Sequence, residues 1–277
     1  MTIHDCTIER DLGFAGGWHR QAGLKLATRT VLRRAAATTA PSSASLAETR
    51  QHYPSAPHPI LVPNGVDSGQ FAAVTAAAVA AARDRYRLPE RFVLTVGAHR
   101  PHKNHGILVR ALTALPADIS LVIVGYFDSS FPDPLPGLIA ELGLASRVLL
   151  VPEVADELLP AVHRAASVFA FPSLAEGYGL PVLEAMASGV PVVASDIPVL
   201  SEVTGPAAVL VSPDDVAVWA AAMAEILADP AVSAGLSAVG AVAAAAVTWE
   251  RGATALRGLL SAVATGRLAP PLPAASA

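Results

Sequence analysis

The chain has 277 residues, of which 53% are hydrophobic and 15% charged, and its formal net charge at pH 7 is −4. This length can bury a large core in one or two domains, and the negative charge argues against nucleic acid as the main partner. The single cysteine, Cys6, excludes an internal disulfide and predicts a reducing, cytoplasmic location. We find no apolar run of the roughly 20 residues that a membrane span needs, and no basic, apolar leader.

The first part of the chain predicts short elements of both kinds. Residues 2–5, TIHD, resemble a strand, and residues 18–37 place apolar and basic side chains at helical spacing. The small residues AAATTA predict a second strand, which is followed by a helix cap at Ser42 or Ser43. PILVPNGVD predicts a strand that ends in the turn Asn64-Gly65. An Ala-rich stretch, residues 71–87, leads to the next part.

The second part alternates apolar strands with helices. Strands are expected near residues 92–97, 120–125, 147–151, 168–171, 191–194 and 208–211, and helices near 105–115, 135–142, 157–166, 180–187, 199–203 and 216–227. This alternation predicts a parallel sheet that is covered on both faces. Ligands of such sheets bind at the carboxyl ends of the strands, so Gly97, Gly125 and the loop of Glu176 should meet at one rim. An Ala-rich helix around residues 238–247, a last helix over 249–265 and a disordered Pro/Ala tail complete the prediction.

The most informative segment is residues 171–193, FPSLAEGYGLPVLEAMASGVPVV. Glu176 and Glu184 stand eight positions apart, with Gly177 and Gly179 between them and Pro181 at a helix start. The glycines let the backbone approach a ligand closely, and the amides at the helix start form an anion site. Two carboxylates that only accept hydrogen bonds suit a ligand with both hydroxyls and phosphates. A nucleotide sugar is such a ligand.

The order of the motifs adds a family resemblance. EGYGLPVLE resembles the E-x7-E motif of retaining glycosyltransferases of family 4, which have the two-Rossmann-domain (GT-B) architecture. Four neighbouring segments resemble family blocks in the same order: VLTVGAHRPHKNHGILVRAL, LVIVGY, LPAVHRAASVFAFPSLAEG and SGVPVVASDIPVLSEVTGPAAVLVSPDD. The resemblance covers residues 60–265 well and residues 1–60 more loosely.

The resemblance implies an α/β fold of GT-B type, with one complete Rossmann-like C-terminal domain and a partial N-terminal one. Residues 1–68 would form the partial, acceptor-side domain and 69–90 a linker. Residues 91–248 would bind the donor, 249–265 would cross back as a helix, and 266–277 would be the disordered tail. The family's first strand and glycine-rich loop are not found before the TIHD segment. A fragment, a wrongly chosen start and a natural truncation are all left open.

The resemblance also implies roles for the motif residues. Glu176 would lie beside the donor sugar, and Glu184 would bind the ribose hydroxyls. Lys103 matches the family lysine that neutralises the donor diphosphate, where negative charge grows during transfer. The diphosphate or the sugar would be held by the backbone amides of Gly177, Tyr178, Gly179 and Leu180, with Gly97 at the same rim.

Two further site residues are expected. Many family members carry an arginine directly after the strand glycine or before the lysine, where this chain has Ala98 and His102. We therefore expect Arg100, between them, to contact the phosphates. His4 matches a family histidine that faces the acceptor and the donor sugar.

A metal site is not favoured. His99, His102 and His105 follow one another at intervals of three, but no cysteine or carboxylate completes a zinc set. No Asp-x-Asp triplet occurs, so transfer is expected to be metal-independent, with no cofactor beside the nucleotide-sugar substrate. The chain also lacks the G-x-S-x-G elbow of serine hydrolases and the phosphate loop G-x4-G-K-[ST].

We therefore expect a retaining transferase that moves a hexose from GDP, UDP or dTDP to a glycan or lipid-linked acceptor, similar to mannosyl- and rhamnosyltransferases of polysaccharide synthesis. The leaving diphosphate would take the acceptor proton, so no protein nucleophile is needed. Two alternatives remain: a non-catalytic nucleotide-sugar-binding module that needs a separate N-terminal half, and a less favoured nucleotide-sugar epimerase of the same shape. A basic helix face, Arg29, Arg33 and Arg34, suggests a peripheral contact at the inner membrane face, although a solvated face is favoured.

Overall fold

The computed structural model describes residues 1–7, 9–10, 18–129, 131 and 133–268. It divides into two compact units. Unit 1 consists of Met1–Gly65, Glu176–Gly179 and the segment from Val247, and unit 2 of Val66–Ala175 and Leu180–Ala246. The predicted disordered tail falls largely on residues 269–277, which lie outside the described part of the chain.

Unit 1 is built on two short parallel strands, in which Thr38 pairs with Pro59. Its elements are α1 (Trp18–Leu32), β1 (Thr38–Ala40), α2 (Ser43–His52), β2 (Pro59–Leu61) and α12 (Trp249–Ala264). Ser42 caps α2 by accepting a hydrogen bond from the Ser45 amide, as the sequence predicts. A small apolar cluster forms the interior, made of Ile3, Cys6, Leu32, Tyr53 and Ala56.

The prediction of a strand at the start of the chain is wrong. Thr2 forms a single bridge to Thr39, and no strand develops from it. A local turn follows the bridge, in which the Asp5 carboxylate accepts a hydrogen bond from the Thr7 amide at 2.9 Å.

Unit 2 contains a six-stranded parallel sheet whose strand order is β5-β4-β3-β6-β7-β8. The strands are β3 (Phe92–Val96), β4 (Ser120–Val124), β5 (Val148–Val151), β6 (Val168–Phe171), β7 (Val192–Ser195) and β8 (Val209–Val211). From β3 the chain adds β4 and β5 on one side of the sheet, and it then returns to add β6, β7 and β8 on the other side. The topological switch point therefore lies between β3 and β6. A crevice at this point is the usual ligand site of an open parallel sheet.

Helices cover the sheet on both faces, as expected for parallel strands. They are α3 (Ser68–Ala72), α4 (Ala76–Tyr86), α5 (His105–Ala111), α6 (Leu135–Glu141), α7 (Leu159–Ala165), α8 (Leu180–Ala187), α9 (Pro198–Thr204), α10 (Val216–Ala228) and α11 (Pro230–Ala245). Every strand and helix that the sequence predicts in this part is present, with ends within two residues except at α5 and α11, and α11 begins eight residues before the predicted Ala-rich helix. There the last predicted turn is a separate 3-10 turn, Leu112–Ala114. Segment 69–90 contains α3 and α4, which belong to unit 2.

The interior of unit 2 explains the strand pattern. Phe92, Leu94, Phe169 and Phe171 are at most 1% exposed, and so is Trp219 of α10. Burial on both faces requires continuous apolar runs instead of alternation. The sheet therefore provides a rigid base from which loops project at its carboxyl edge.

One close backbone approach at this edge allows a stability prediction. A Cβ built on Gly125, directly after β4, would lie 1.9 Å from the Gly97 carbonyl oxygen, directly after β3. We expect Gly125→Ala to lower the free energy of unfolding by more than about 2 kcal/mol, because backbone has to move. Gly137→Ala in α6, where nothing lies within 4 Å, is the matched control and should gain roughly 0.5–1 kcal/mol. Urea denaturation of both variants measures this, and equal stability would contradict the prediction.

The expectation that no apolar stretch reaches membrane length needs correction. The segment Pro230–Ala264 spans 35 residues and contains an 18-residue stretch with a mean hydropathy of 1.8. Only 11% of that stretch is buried inside the protein. Contiguous apolar runs in it are short, but hydropathy averages over its Ser, Thr and Gly residues. By length and composition it resembles a span, which is weak evidence. The helix is interrupted between Ala245 and Trp249, and each 16-residue half is about 24 Å long.

Candidate functional site

The loop after β3, residues 97–104, carries the predicted phosphate-binding lysine. A 3-10 turn, Pro101–Lys103, ends at Asn104, whose φ of 52° reverses the chain into α5. Asparagine tolerates this left-handed conformation, and its side-chain amide donates to the Pro213 carbonyl at 2.9 Å. The loop therefore has a defined shape at the carboxyl edge of the sheet.

Lys103 lies at the switch point. Its Nζ is 5.3 Å from the centre of the Phe171 ring, which ends β6, and its Cδ would lie 3.4 Å from a Cβ on Gly97. The absence of a side chain at Gly97 thus leaves room for the aliphatic part of the lysine. The aromatic face stabilises the ammonium group, so a positive charge is held between β3 and β6.

Arg100 lies on the same loop but is paired. Its guanidinium donates to the Asp128 carboxylate at 3.2 Å and to the Tyr126 hydroxyl at 3.0 Å. The Phe131 ring centre lies 6.0 Å from the guanidinium carbon. A phosphate at Arg100 would have to share the guanidinium with Asp128, so this arginine offers less positive charge than an unpaired one.

The three histidines of this loop do not converge. The Nδ1 of His99 lies 3.0 Å from the Asp133 carboxylate, and the His99 and His105 ring centres are 5.7 Å apart. Burial, together with the charges of His99 and Lys103, lowers the pKa of His105 to about 3, so its ring is neutral at pH 7. Within the described ranges, no group of three or more His, Cys, Asp or Glu side chains could hold a metal ion.

The loop that leads to the E-x7-E motif leaves β6 beside the lysine loop. The Leu174 amide donates to the His102 carbonyl at 2.7 Å. Both residues belong to unit 2, so the two strands of the switch point continue into loops that are hydrogen-bonded to each other. This contact positions the chain two residues before Glu176.

Glu184 lies one turn into α8 and is largely buried. Its side chain is 21% exposed, and its Oε2 lies 3.7 Å from Nε2 of the fully buried His163 in α7. Burial, with a smaller contribution from the negative charge of Asp156, raises the pKa of Glu184 to about 7. A carboxylate held in a partly dehydrated position binds hydroxyl donors more strongly than one in open water.

The segment Glu176–Gly179 belongs to unit 1, where it is anchored by its backbone. The hydroxyls of Ser42 and Ser45 both donate to the Gly177 carbonyl, at 2.9 and 2.8 Å, and the Tyr178 hydroxyl donates to the Asn64 carbonyl at 3.0 Å. Because the peptide is trans, the Tyr178 amide points away from the two serines. The anchored carbonyl thus fixes the direction of one of the amides that the sequence assigns to the donor.

Gly177 is also the point at which the motif meets the start of the chain. A Cβ on Gly177 would lie 2.0 Å from the His4 carbonyl oxygen. Only glycine permits this approach. His4 itself is exposed, so within unit 1 the structure brings His4 next to the E-x7-E loop.

The predicted residues therefore fall into two groups. Unit 2 brings together Gly97, Lys103 and Arg100 and places Glu184 on α8, and unit 1 brings His4 next to Glu176–Gly179. Sequence reasoning missed four partners of these residues: Asp128, His163, Ser42 as a ligand of Gly177, and Ser45. Ser42 was identified only as a helix cap, and no sequence signal pointed to the other three, since each acts at a distance along the chain.

Comparison with known proteins identifies the family. The family model described as glycosyl transferases group 1 matches residues 81–239. The O-antigen chain mannosyltransferase RfbU of Salmonella typhimurium is 36% identical over 138 residues, 50% of this chain and 38% of that protein. The D-inositol 3-phosphate glycosyltransferase of Salinispora arenicola is 36% identical over 211 residues, 69% of this chain and 46% of that protein.

Solved structures show the same architecture. Sucrose-phosphate synthase from Thermosynechococcus elongatus superposes with a TM-score of 0.80 at 28% identity, over 96% of this chain and 67% of that one. HepE of Anabaena, solved with UDP and glucose, superposes with a TM-score of 0.82 at 23% identity, over 94% of this chain and 71% of that one. The predicted α/β fold of GT-B type is confirmed.

The chain spans less than half the length of the two curated relatives. The match to the family model nevertheless covers more than half of the chain and includes Lys103, Glu176 and Glu184. This chain belongs to the group 1 glycosyltransferase family.

Proposed function

We propose that this chain binds a nucleotide-sugar donor and transfers its hexose to a glycan or lipid-linked acceptor with retention of configuration. The observation that carries the proposal is the arrangement in unit 2. A lysine ammonium lies over Phe171 at the switch point, and the largely buried carboxylate of Glu184 lies one turn into the helix that follows β6. A cation and an acceptor-only group at the carboxyl edge of a parallel sheet match a diphosphate and a ribose.

The proposed chemistry assigns each residue a separate task. Lys103 neutralises the charge that grows on the leaving diphosphate, which is the main electrostatic stabilisation of the transition state. Glu184 accepts hydrogen bonds from the ribose, and Glu176 and the amides of Gly177 to Leu180 orient the donor sugar. The leaving diphosphate removes the acceptor proton on the same face of the sugar, so positioning provides the remaining rate enhancement. No metal ion and no cofactor takes part in this scheme.

The donor is proposed to be a hexose on GDP, UDP or dTDP, with a mannosyl- or rhamnosyl-like sugar. The similarity to RfbU, a mannosyltransferase by name, supports a mannosyl-like donor sugar. It also supports a role in polysaccharide synthesis. HepE, whose structure holds UDP, shares the fold and so leaves the base open.

Calorimetric titration of the 277-residue chain with UDP, GDP and dTDP, without added metal, tests the proposal. Selective micromolar binding of one nucleotide supports it and names the base, and absence of binding to folded protein contradicts it. Turnover of the corresponding nucleotide sugars then separates the enzyme from the alternative, a binding module that needs a separate N-terminal half. Binding without transfer to any acceptor would favour that module.

A peripheral membrane contact in the cytoplasm is proposed for α1. The helix contains no acidic residue, and Trp18 and Leu26 are 71% and 65% exposed on the same side as Arg29. Aromatic, apolar and basic groups together suit an anionic lipid surface.

We expect the chain to sediment with phosphatidylglycerol vesicles but not with phosphatidylcholine vesicles. The double change Trp18→Ser and Leu26→Ser should abolish this, and Val218→Ser, at another exposed apolar position, should not.

A further inference from the structure

His163 is a buried polar side chain that the proposed transfer chemistry does not use. It lies in α7 with no exposed surface, and neither Nδ1 nor Nε2 has a hydrogen-bond partner among the described residues. Buried polar atoms are normally paired, and an unpaired one needs an explanation. The nearest carboxylate oxygen is Oε2 of Glu184, 3.7 Å from Nε2, which is slightly beyond hydrogen-bond range.

The surroundings of the ring leave few other directions for its N–H group. The Phe169 ring centre lies 5.2 Å from that of His163, tilted by 37°, and the Phe71 ring centre lies 5.8 Å away in an edge-on arrangement. Both neighbours are apolar. Helices α7 and α8 pack against each other, so the imidazole is enclosed on two sides by aromatic rings, and Glu184 is its close polar neighbour.

Burial lowers the pKa of His163 to about 3, so the ring is neutral at pH 7 and carries one N–H. When that proton is on Nε2, the nearest carboxylate to the N–H group is that of Glu184. Rotation of the Glu184 side chain can bring the two groups within hydrogen-bond range. A neutral donor stabilises the ionised form of a carboxyl group without adding a buried charge. Ionised Glu184 accepts from two hydroxyls at once, whereas the protonated form uses part of this capacity as a donor.

We infer that His163 is a positioning residue of the nucleotide site, whose Nε2–H group orients the Glu184 carboxylate towards a vicinal diol and favours its ionised form. This inference rests on the proposed ribose-binding role of Glu184. The ligand is therefore a ribonucleotide with both hydroxyls present, which favours GDP or UDP over the deoxyribonucleotide dTDP among the proposed donors, and the binding of the diol becomes sensitive to pH through the carboxylate.

Other charged groups near this pair are few. The elements α3, α11, β6 and β7, which pack against α8, contain no titratable side chain. The remaining groups are Asp156 and Glu157 before α7, the exposed Glu202 of α9, Arg164, which donates to the Ser188 carbonyl, and four residues of α4: Arg83, which donates to the Ala165 carbonyl, Asp84, Arg85 and Tyr86. Asp156 raises the pKa of Glu184, and the Nε2–H group of His163, 3.7 Å from Oε2, is the donor proposed to oppose this shift.

Carbon-13 NMR of the glutamate carboxyl groups tests the inference without any nucleotide. The signal of Glu184 is identified by its loss in Glu184→Gln. We expect its pKa to rise by about 1 in His163→Phe, since a hydrogen bond to a charged group is lost, and to return towards the wild-type value in His163→Gln, which restores an N–H donor. Phe71→Leu is the control, because it loosens the packing around the ring but keeps the donor. An unchanged pKa in folded His163→Phe overturns the inference.

Nucleotide affinity provides the second measurement. In His163→Phe we expect a several-fold weaker affinity at pH 7 that recovers by pH 9, where Glu184 is ionised in either protein. A loss of equal size at both values would indicate a structural role only and would overturn the inference. If the NMR shift occurs but UDP, GDP and dTDP all fail to bind the wild-type chain, the pairing with Glu184 is upheld and the ribose assignment fails. If nucleotide binds and the pKa does not move, the proposed function is upheld and the role of His163 is not.

Discussion

Replacing Glu184 by alanine is expected to weaken nucleotide binding by roughly 100-fold, the largest effect on affinity of any single change in the site. Two charge-assisted hydrogen bonds to ribose hydroxyls are lost, each of about 1.5 kcal/mol or more. The sharpest measurement compares a ribonucleoside diphosphate with its deoxyribose counterpart by calorimetry. Wild-type protein should prefer the ribose form, and Glu184→Ala should bind both with similar affinity.

Replacing Glu184 by glutamine should increase the stability of the folded chain, although it removes the carboxylate that binds the ribose. Because burial raises the pKa of Glu184 to about 7, the folded state binds more protons than the unfolded state between about pH 4.5 and 7. Stability from this group is therefore present at low pH and is lost as pH rises through that window. Glu184→Gln should remove this loss and be the more stable protein at pH 8, by on the order of a few kcal/mol.

Glu225→Ala, at an exposed position of α10, is the control for both the nucleotide titration and the stability measurement. An unchanged ribose preference in Glu184→Ala would refute the assignment.

Removal of the positive charge of Lys103 is expected to reduce turnover by roughly 100- to 1,000-fold, the size typical of losing one transition-state donor. Methionine is the suitable replacement, because it keeps an unbranched side chain to pack on Phe171 while it removes the ammonium group. The affinity of Lys103→Met should change for ligands that carry phosphates but not for those that lack them. Affinity for the nucleoside diphosphate should fall about tenfold or more, and affinity for the nucleoside alone should be unchanged, since it carries no phosphate.

Two controls sharpen this experiment. Lys103→Arg keeps a cation at the switch point and should retain part of the activity, and Arg110→Met removes an exposed cation of α5 and should have little effect. The difference between Lys103→Met and wild type should shrink as salt concentration rises, because screening weakens interactions between charges. If Lys103→Met binds the diphosphate as tightly as wild type does, the lysine does not contact the phosphates.

The arginine of the same loop is a weaker candidate in the structure than in the sequence. Arg100 was expected at the phosphates because it lies between the two positions at which the family carries arginine. Its guanidinium is committed to Asp128 and Tyr126, both in the loop after β4. The position of Arg100 in the sequence therefore did not predict whether its positive charge is available to a phosphate. That depends on Asp128, which lies 28 residues away along the chain.

What the sequence by itself determined is local and periodic. Continuous apolar runs predicted all six strands of the large sheet, because a strand that is buried on both faces has no polar position. Pro181 and the glycines around Glu176 predicted a loop and a helix start, because these residues restrict or permit backbone angles over a few positions. The motif order was sufficient for the family, whereas the strand predicted for the short TIHD segment is reduced to a single bridge that a turn at Asp5 follows.

Only the tertiary structure decided how the site residues are held. His163 meets Glu184 through the packing of α7 on α8, and Ser42 meets the Gly177 carbonyl across 135 positions of the chain. Neither contact leaves a periodic trace, because it depends on which surfaces the fold brings together and not on neighbouring residues. The protonation of Glu184 and His163 follows from the same cause, since burial shifts a pKa and burial is a property of the folded chain.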